Sequence, residues 1–172
     1  MADKIVLVRP TIELKAQAME YKKEHFDFGE TVIDGSELLD RMDSYEDWLR
    51  KVVRNAQADF AAPDRTDTFF AVRESDERII GIIDFRHRLS GFLKDFGHCG
   101  YSVRPSERKK GYATQMLSQL CGIAKGYGLD TLQLAVERDN LPSVRTIIKN
   151  GGVYERSFAF GDAEADVYLI RL

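Results

Sequence analysis

Tyr101-Ser-Val-Arg-Pro-Ser-Glu-Arg-Lys-Lys-Gly-Tyr-Ala-Thr114 is the stretch on which the reading of this 172-residue chain turns. A strand ends at Val103, and a turn follows with Pro105 and four basic residues, Arg104, Arg108, Lys109 and Lys110. A helix opens at about Gly111 and carries Met116, Leu117, Leu120, Cys121 and Ala124 at steps of three and four, the spacing of one buried face. Glycine at a helix start permits close approach to the backbone, and the first-turn N–H groups there have no partner within the helix. With the basic residues beside them, those donors suit a diphosphate. No Gly-x-x-x-x-Gly-Lys-Ser/Thr and no Gly-x-Gly-x-x-Gly is present, so neither nucleotide hydrolysis nor dinucleotide redox chemistry has support.

Downstream, Thr131–Val136 places Leu132, Leu134 and Val136 on one face at period two, which predicts a strand. Glu137-Arg-Asp-Asn140 leads into a short helix, Leu141 to Asn150, closed by Gly151-Gly152. Asn140 suits the N-cap, Pro142 the first turn and Gly151 the left-handed position after the last turn. Leu141, Val144 and Ile148 are the expected buried stripe. The spacing Arg108-x-x-Gly111-x-Ala113, then Asn140-x-x-Ser143 and a glycine-terminated helix, resembles the two signatures of the GNAT superfamily of acyl-CoA N-acyltransferases. Ile80-Gly-Ile-Ile-Asp-Phe-Arg-His-Arg-Leu89, Gly97 to Thr114, and Tyr45-Glu-Asp-Trp-Leu49 are similar to a bacterial group of acetyltransferases assigned by sequence.

A net charge of −3 gives no general pull toward nucleic acid or anionic membrane, and the 44% apolar, 31% charged balance is that of a globular chain. The basic run at 104–110 is short and lacks interleaved aromatics apart from Tyr101 and Tyr112, which speaks against a nucleic-acid partner. Cys99 and Cys121 fit reduced, packed thiols of a cytoplasmic protein, with no Cys/His pattern for a metal. No signal peptide or membrane span is expected. One α/β (α+β) domain over 1–172 is expected, in the order β-α-α-β-β-β-α-β-α-β-β. Its strands are predicted at 4–9, 68–73, 78–86, 98–103, 131–136, 153–160 and 166–171. Helices are predicted from Thr11 to about His25, with Thr11 as cap, and from Tyr45 through Ala56, with Ser44 as cap. The resemblance implies that these form a central mixed, mostly antiparallel sheet flanked by helices, the GNAT fold.

The resemblance also implies acetyl-CoA as co-substrate and direct transfer of its acetyl group to a primary amine through a tetrahedral intermediate. The loop Arg108, Lys109, Lys110, Gly111, Tyr112, Ala113 and Thr114 would take the pyrophosphate, and Asn140 and Ser143 would face the cofactor from the opposite wall. The strand 98–103 would splay from 132–136, with backbone groups of Tyr101 and Val103 pairing with the pantetheine arm and polarising the thioester. For the base, His98 is the first candidate, having an intrinsic pKa near neutrality, with Asp84 and His87 behind it. Relatives often carry a tyrosine general acid where this chain has Ile147, so Ser143 or Tyr154 is expected to serve, or water. A lysine-like amine is neutral about once in 2,500 molecules at pH 7 and an α-amine about one time in seven, so the need for a base depends on the acceptor. Small-molecule amines and peptide N-termini are both open as acceptors, a homodimer is plausible, and a catalytically silent CoA-binding sensor is the alternative.

Overall fold

The computed structural model describes residues 3–172. Its sheet is built in two antiparallel leaves. The first has the order β1-β2-β3-β4, formed by β1 (Ile5–Val8), β2 (Thr66–Arg73), β3 (Ile79–Arg86) and β4 (Tyr101–Val103). The second has the order β5-β7-β6, from β5 (Thr131–Glu137), β6 (Val153–Phe160) and β7 (Ala163–Arg171). Helices α1 (Lys15–Asp27) and α2 (Tyr45–Gln57) cover one face. Helices α4 (Tyr112–Gly126) and α5 (Leu141–Lys149) cover the other, and a single turn, α3 (Leu93–Phe96), lies between β3 and β4.

Two apolar cores follow from this layering. Ile79 and Ile82 of β3 face Trp48, Tyr21 and Tyr45, whereas Ile80, Ile83 and Phe85 face Met116, Leu117 and Leu120 of α4. That double cover explains the nearly continuous apolar run of β3, which one-sided strands do not show. In β5 only Leu132, Leu134 and Val136 are buried, as period two requires. Ser44 caps α2 by accepting the Asp47 N–H at 3.2 Å, as expected.

Several boundaries differ from the sequence reading for identifiable reasons. Thr11 makes no cap, and a 3₁₀ turn at Ile12–Leu14 precedes α1. β2 begins two residues early at Thr66, and β7 begins at Ala163 because Phe160 pairs with Ala163 across Gly161 and Asp162. The strand predicted over 98–103 is regular only from Tyr101, because the Asp84 carboxylate takes the Gly100 N–H at 2.6 Å. α5 turns Thr146 and Ile147 inward, leaving Leu141 and Ile148 more than half exposed.

Candidate functional site

The two leaves touch at one end and part at the other. Gly97 bridges Leu134, the His98 N–H donates to the Gln133 carbonyl at 2.8 Å, and the Gln133 N–H donates back to His98 Nδ1 at 2.9 Å. Beyond this seam no ladder joins β4 to β5. In an antiparallel pair the bonding groups of successive residues alternate between edges. Since Asp84 N–H donates to the Gly100 carbonyl and Arg104 N–H to the Ile80 carbonyl, Gly100, Ser102 and Arg104 bond toward β3. Tyr101 and Val103 therefore turn their N–H groups to the open edge.

At the wide end of the split lies the loop that opens α4. Lys109 and Gly111 adopt left-handed φ of 63° and 86°, and Gly111 is the N-cap without a side-chain cap bond. From Lys109 to Thr114, six consecutive N–H groups have no protein acceptor among the described residues. Successive free amides around left-handed residues at a helix N-terminus make a concave anion site.

The basic side chains of this loop are mostly engaged elsewhere. Arg108 pairs with both oxygens of Glu30, at 2.6 and 2.7 Å, and its Nε donates to the Val103 carbonyl at 3.0 Å. Arg104 is fully buried beside Glu20 and Glu24. Lys110 meets Glu107 at 2.8 Å, and Glu107 also holds Arg73 and Arg78. Tyr112 is buried, its hydroxyl accepting from Arg73 at 3.1 Å. Among the described residues of the loop, Lys109 is the one cation without a carboxylate partner. The site's attraction for an anion thus rests on amides and Lys109, and α1 braces the loop from beneath, where Glu24 accepts the Ser106 N–H at 2.8 Å.

The opposite wall comes from α5. Asn140 Oδ1 accepts the Ser143 N–H at 3.4 Å, and Asn150 bonds the carbonyls of Thr114 and Thr146, tying α5 to α4. Ile147 is buried against Gly152, so no hydroxyl projects from that position. Tyr154 is exposed and bonds Ser157, on the edge strand β6. Of the two hydroxyls considered as acids, only Ser143 stands at the split.

On the face of α1 and α2, the connection between those helices lies against the start of β4. Gly35, at φ 74°, packs so closely that an added Cβ would fall 2.2 Å from the Gly100 carbonyl oxygen. Ser102 Oγ donates to the Asp34 carbonyl at 2.8 Å. Asp84 is buried here, with Arg86 at 3.3 Å and Glu37 nearby; burial holds its carboxyl well above the usual range, and Glu37 adds to this against Arg86. Asp34 is also raised, first by desolvation and then by Asp40, Glu137 and Glu30. Two carboxyl groups near the start of β4, Asp84 and Asp34, are thus raised by burial and further by other carboxylates, Glu37 for the first and Asp40 and Glu137 for the second, a grouping that no spacing in the sequence announces.

The histidines correct the sequence reading. His98, the first candidate base, uses Nδ1 to accept from Gln133, and burial with Arg86 nearby pushes its pKa down to about 4. It fastens the seam between the leaves. His87 is bonded to Asp67 at 2.7 Å among Phe60, Phe85 and Tyr127, at the far end of α4. His25, near the end of α1, is buried and orients Glu30 at 2.9 Å.

A family model described as Acetyltransferase (GNAT) family matches residues 35–151. No curated protein sequence matches the chain. Among solved structures, a GnaT-family acetyltransferase from Bordetella pertussis is 17% identical, with a TM-score of 0.70 over 99% of this chain and 97% of that one. The microcin C7 self-immunity acetyltransferase MccE, solved with acetyl-CoA and AMP, is 14% identical at TM-score 0.73, covering 99% and 93%. Mycobacterium smegmatis RimJ, solved with CoA-disulfide, is 16% identical at TM-score 0.72, covering 97% and 81%.

Proposed function

Because the chain belongs to the GNAT acetyltransferase family, we propose that it moves an acetyl group from acetyl-CoA to a primary amine, with Asp84 as the base. The observation that carries this reading is the split between β4 and β5 with six free amides at its open end. The amides of Lys109 to Thr114 and the Lys109 ammonium hold the diphosphate, and the open edge of β4 lies alongside the arm. When bound, acetyl-CoA supplies an acyl group activated as a thioester. The N–H groups of Tyr101 and Val103 face the gap and stabilise negative charge on the acyl oxygen, where one such donor contributes roughly 3–4 kcal/mol.

An amine attacks only when neutral, so its proton must leave within the site. Asp84 carries the raised pKa that a general base near neutrality needs, and it sits beside Gly100, one residue from the open edge. The surrounding carboxylates Asp34, Asp40 and Glu137 favour a cationic acceptor arriving as its ammonium form. A small-molecule amine and a peptide N-terminus both satisfy that charge. The test is release of free thiol from acetyl-CoA across a panel of polyamines, amino acids, aminoglycosides and peptide N-termini. Amine-dependent release is expected; none on any acceptor, by protein that binds acetyl-CoA in calorimetry, would leave a binding domain instead.

A further inference from the structure

One buried hydroxyl at the split is without a partner. Tyr101 Oη is shielded from solvent and makes no hydrogen bond among the described residues. Buried hydroxyls are normally satisfied, and an orphan in a cleft is explained when a ligand completes it. The other buried orphans lie elsewhere. His25 and Arg104 belong to the brace under the loop, Arg65 and His87 to the cluster around Phe60 and Tyr127, and Thr68 lies on β2, with β3 between it and β4.

Resting on the reading above, we propose that the Tyr101 hydroxyl donates a hydrogen bond to the sulfur of a thioester held in the split, stabilising the thiolate as it leaves. The geometry divides two tasks within one residue. The Tyr101 N–H lies in the plane of the sheet at the open edge, where an acyl oxygen would be received. The side chain stands out of that plane on the face covered by α4 and α5, in the apolar cluster that also holds Val144 and Ile147. It therefore reaches a different substituent of the acyl carbon, and sulfur is the one on which charge appears. Burial pushes the phenol's pKa up to about 12, and the hydroxyls of Ser143 and Thr146 on α5, beside it, act to hold it down. They can donate to Oη, leaving the phenolic hydrogen free for the ligand, and the phenol remains a donor throughout the working range.

The step balances without a co-reactant. An acceptor arriving as ammonium first loses one proton through Asp84 to water; the neutral nitrogen then bonds the acyl carbon, its next proton passes to Asp84, and the carbon–sulfur bond breaks with its electron pair on sulfur. Tyr101 solvates that pair, and the thiolate takes its proton from water, to which Asp84 returns one.

Tyr101→Phe tests the assignment, since it deletes a hydroxyl whose proton has no acceptor among the described residues. Wild type and variant are compared by thermal unfolding, by CoA binding in calorimetry, and by pH titration of the ultraviolet thiolate absorbance of bound CoA. Expected are an unchanged or higher melting temperature, equal affinity for CoA in its thiol form, and a bound-thiol pKa about one unit higher in the variant, a tenfold change. The turnover number should fall roughly tenfold to a hundredfold, as for a hydrogen bond to a charged group. Equal thiol pKa values with CoA bound to both proteins would overturn the role of Tyr101 while leaving the proposed function standing. Failure of wild type to bind CoA at all would overturn both.

Discussion

The two sides of the split are made of different material. The 104–114 loop presents backbone, since its cations Arg104, Arg108 and Lys110 are turned to Glu20, Glu24, Glu30 and Glu107. The other side presents side chains, with Glu37 of the α1–α2 connection acting on Asp84 of β3, and Asp40 and Glu137 acting on Asp34. A backbone device depends on φ and ψ at a few adjacent positions. A side-chain device depends on charge and burial contributed by segments far apart in the chain. The first should fail when geometry or access is disturbed, and the second when a charge is removed with geometry intact.

Gly111→Glu is the harshest test of the backbone side. A carboxylate would enter a cradle of amides, and a side chain at φ 86° adds a strain of roughly 1–2 kcal/mol. Affinity for acetyl-CoA should fall more than about a hundredfold, through repulsion and blocked approach. Gly111→Ala separates the two causes, because it carries the strain without the charge and should lose much less. Calorimetry on both variants decides; full binding by the glutamate variant would place the anion elsewhere.

The same contrast explains what could be read from the residues alone. Arg108-x-x-Gly111 and Asn140-x-x-Ser143 are local patterns, and the turn and caps they encode are where the spacing predicts them. The charge of the loop was misleading, since four basic residues in one turn suggest a cationic site. Their carboxylate partners lie dozens of positions away, at Glu20 and Glu24 on α1 and Glu30 just beyond its end, or act from within the turn as Glu107 does. His98 misled for a related reason. Its intrinsic pKa suits a base, but the fold buries it and fills its Nδ1 lone pair from Gln133, on a strand more than thirty residues downstream. Asp84 carried no local sign of its raised pKa, because burial under the 28–44 segment creates it.

Asp84→Asn probes the side-chain wall. Asparagine keeps an oxygen for the Gly100 N–H but cannot take a proton, so the turnover number should fall about a hundredfold or more with acetyl-CoA affinity intact. In the wild type, activity should decline as pH falls through a pKa above the ordinary carboxylate range, and the variant should lose that limb. The linkage has a definite sign. A carboxyl whose folded pKa is raised favours folding below its unfolded pKa and loses that contribution as pH rises through the folded one. At neutral pH the wild type therefore holds a disfavoured buried charge, and Asp84→Asn should melt no lower than wild type, gaining stability as it loses rate. A variant that keeps its rate and its acid limb would move the base elsewhere.

Glu30→Gln has the smallest expected effect and separates the two materials most finely. Arg108 holds the Glu30 carboxyl down to about 2, so the pair's contribution is complete above the usual value of 4.5 and is lost as pH falls toward 2. Both side chains are about one-third exposed, and after solvent screening the pair contributes at most about 1 kcal/mol. For a chain of this size that is a fall of roughly 2–4 °C in melting temperature at neutral pH. The difference between wild type and variant should close as the solution is acidified. The variant also frees the Arg108 guanidinium beside the loop. If amides and Lys109 hold the anion, acetyl-CoA affinity should stay within about threefold, because Arg108 still has the Val103 carbonyl to bond. A gain of tenfold or more would mean that a side chain held in reserve by Glu30 can dominate the site, and the division between a backbone wall and a side-chain wall would no longer hold.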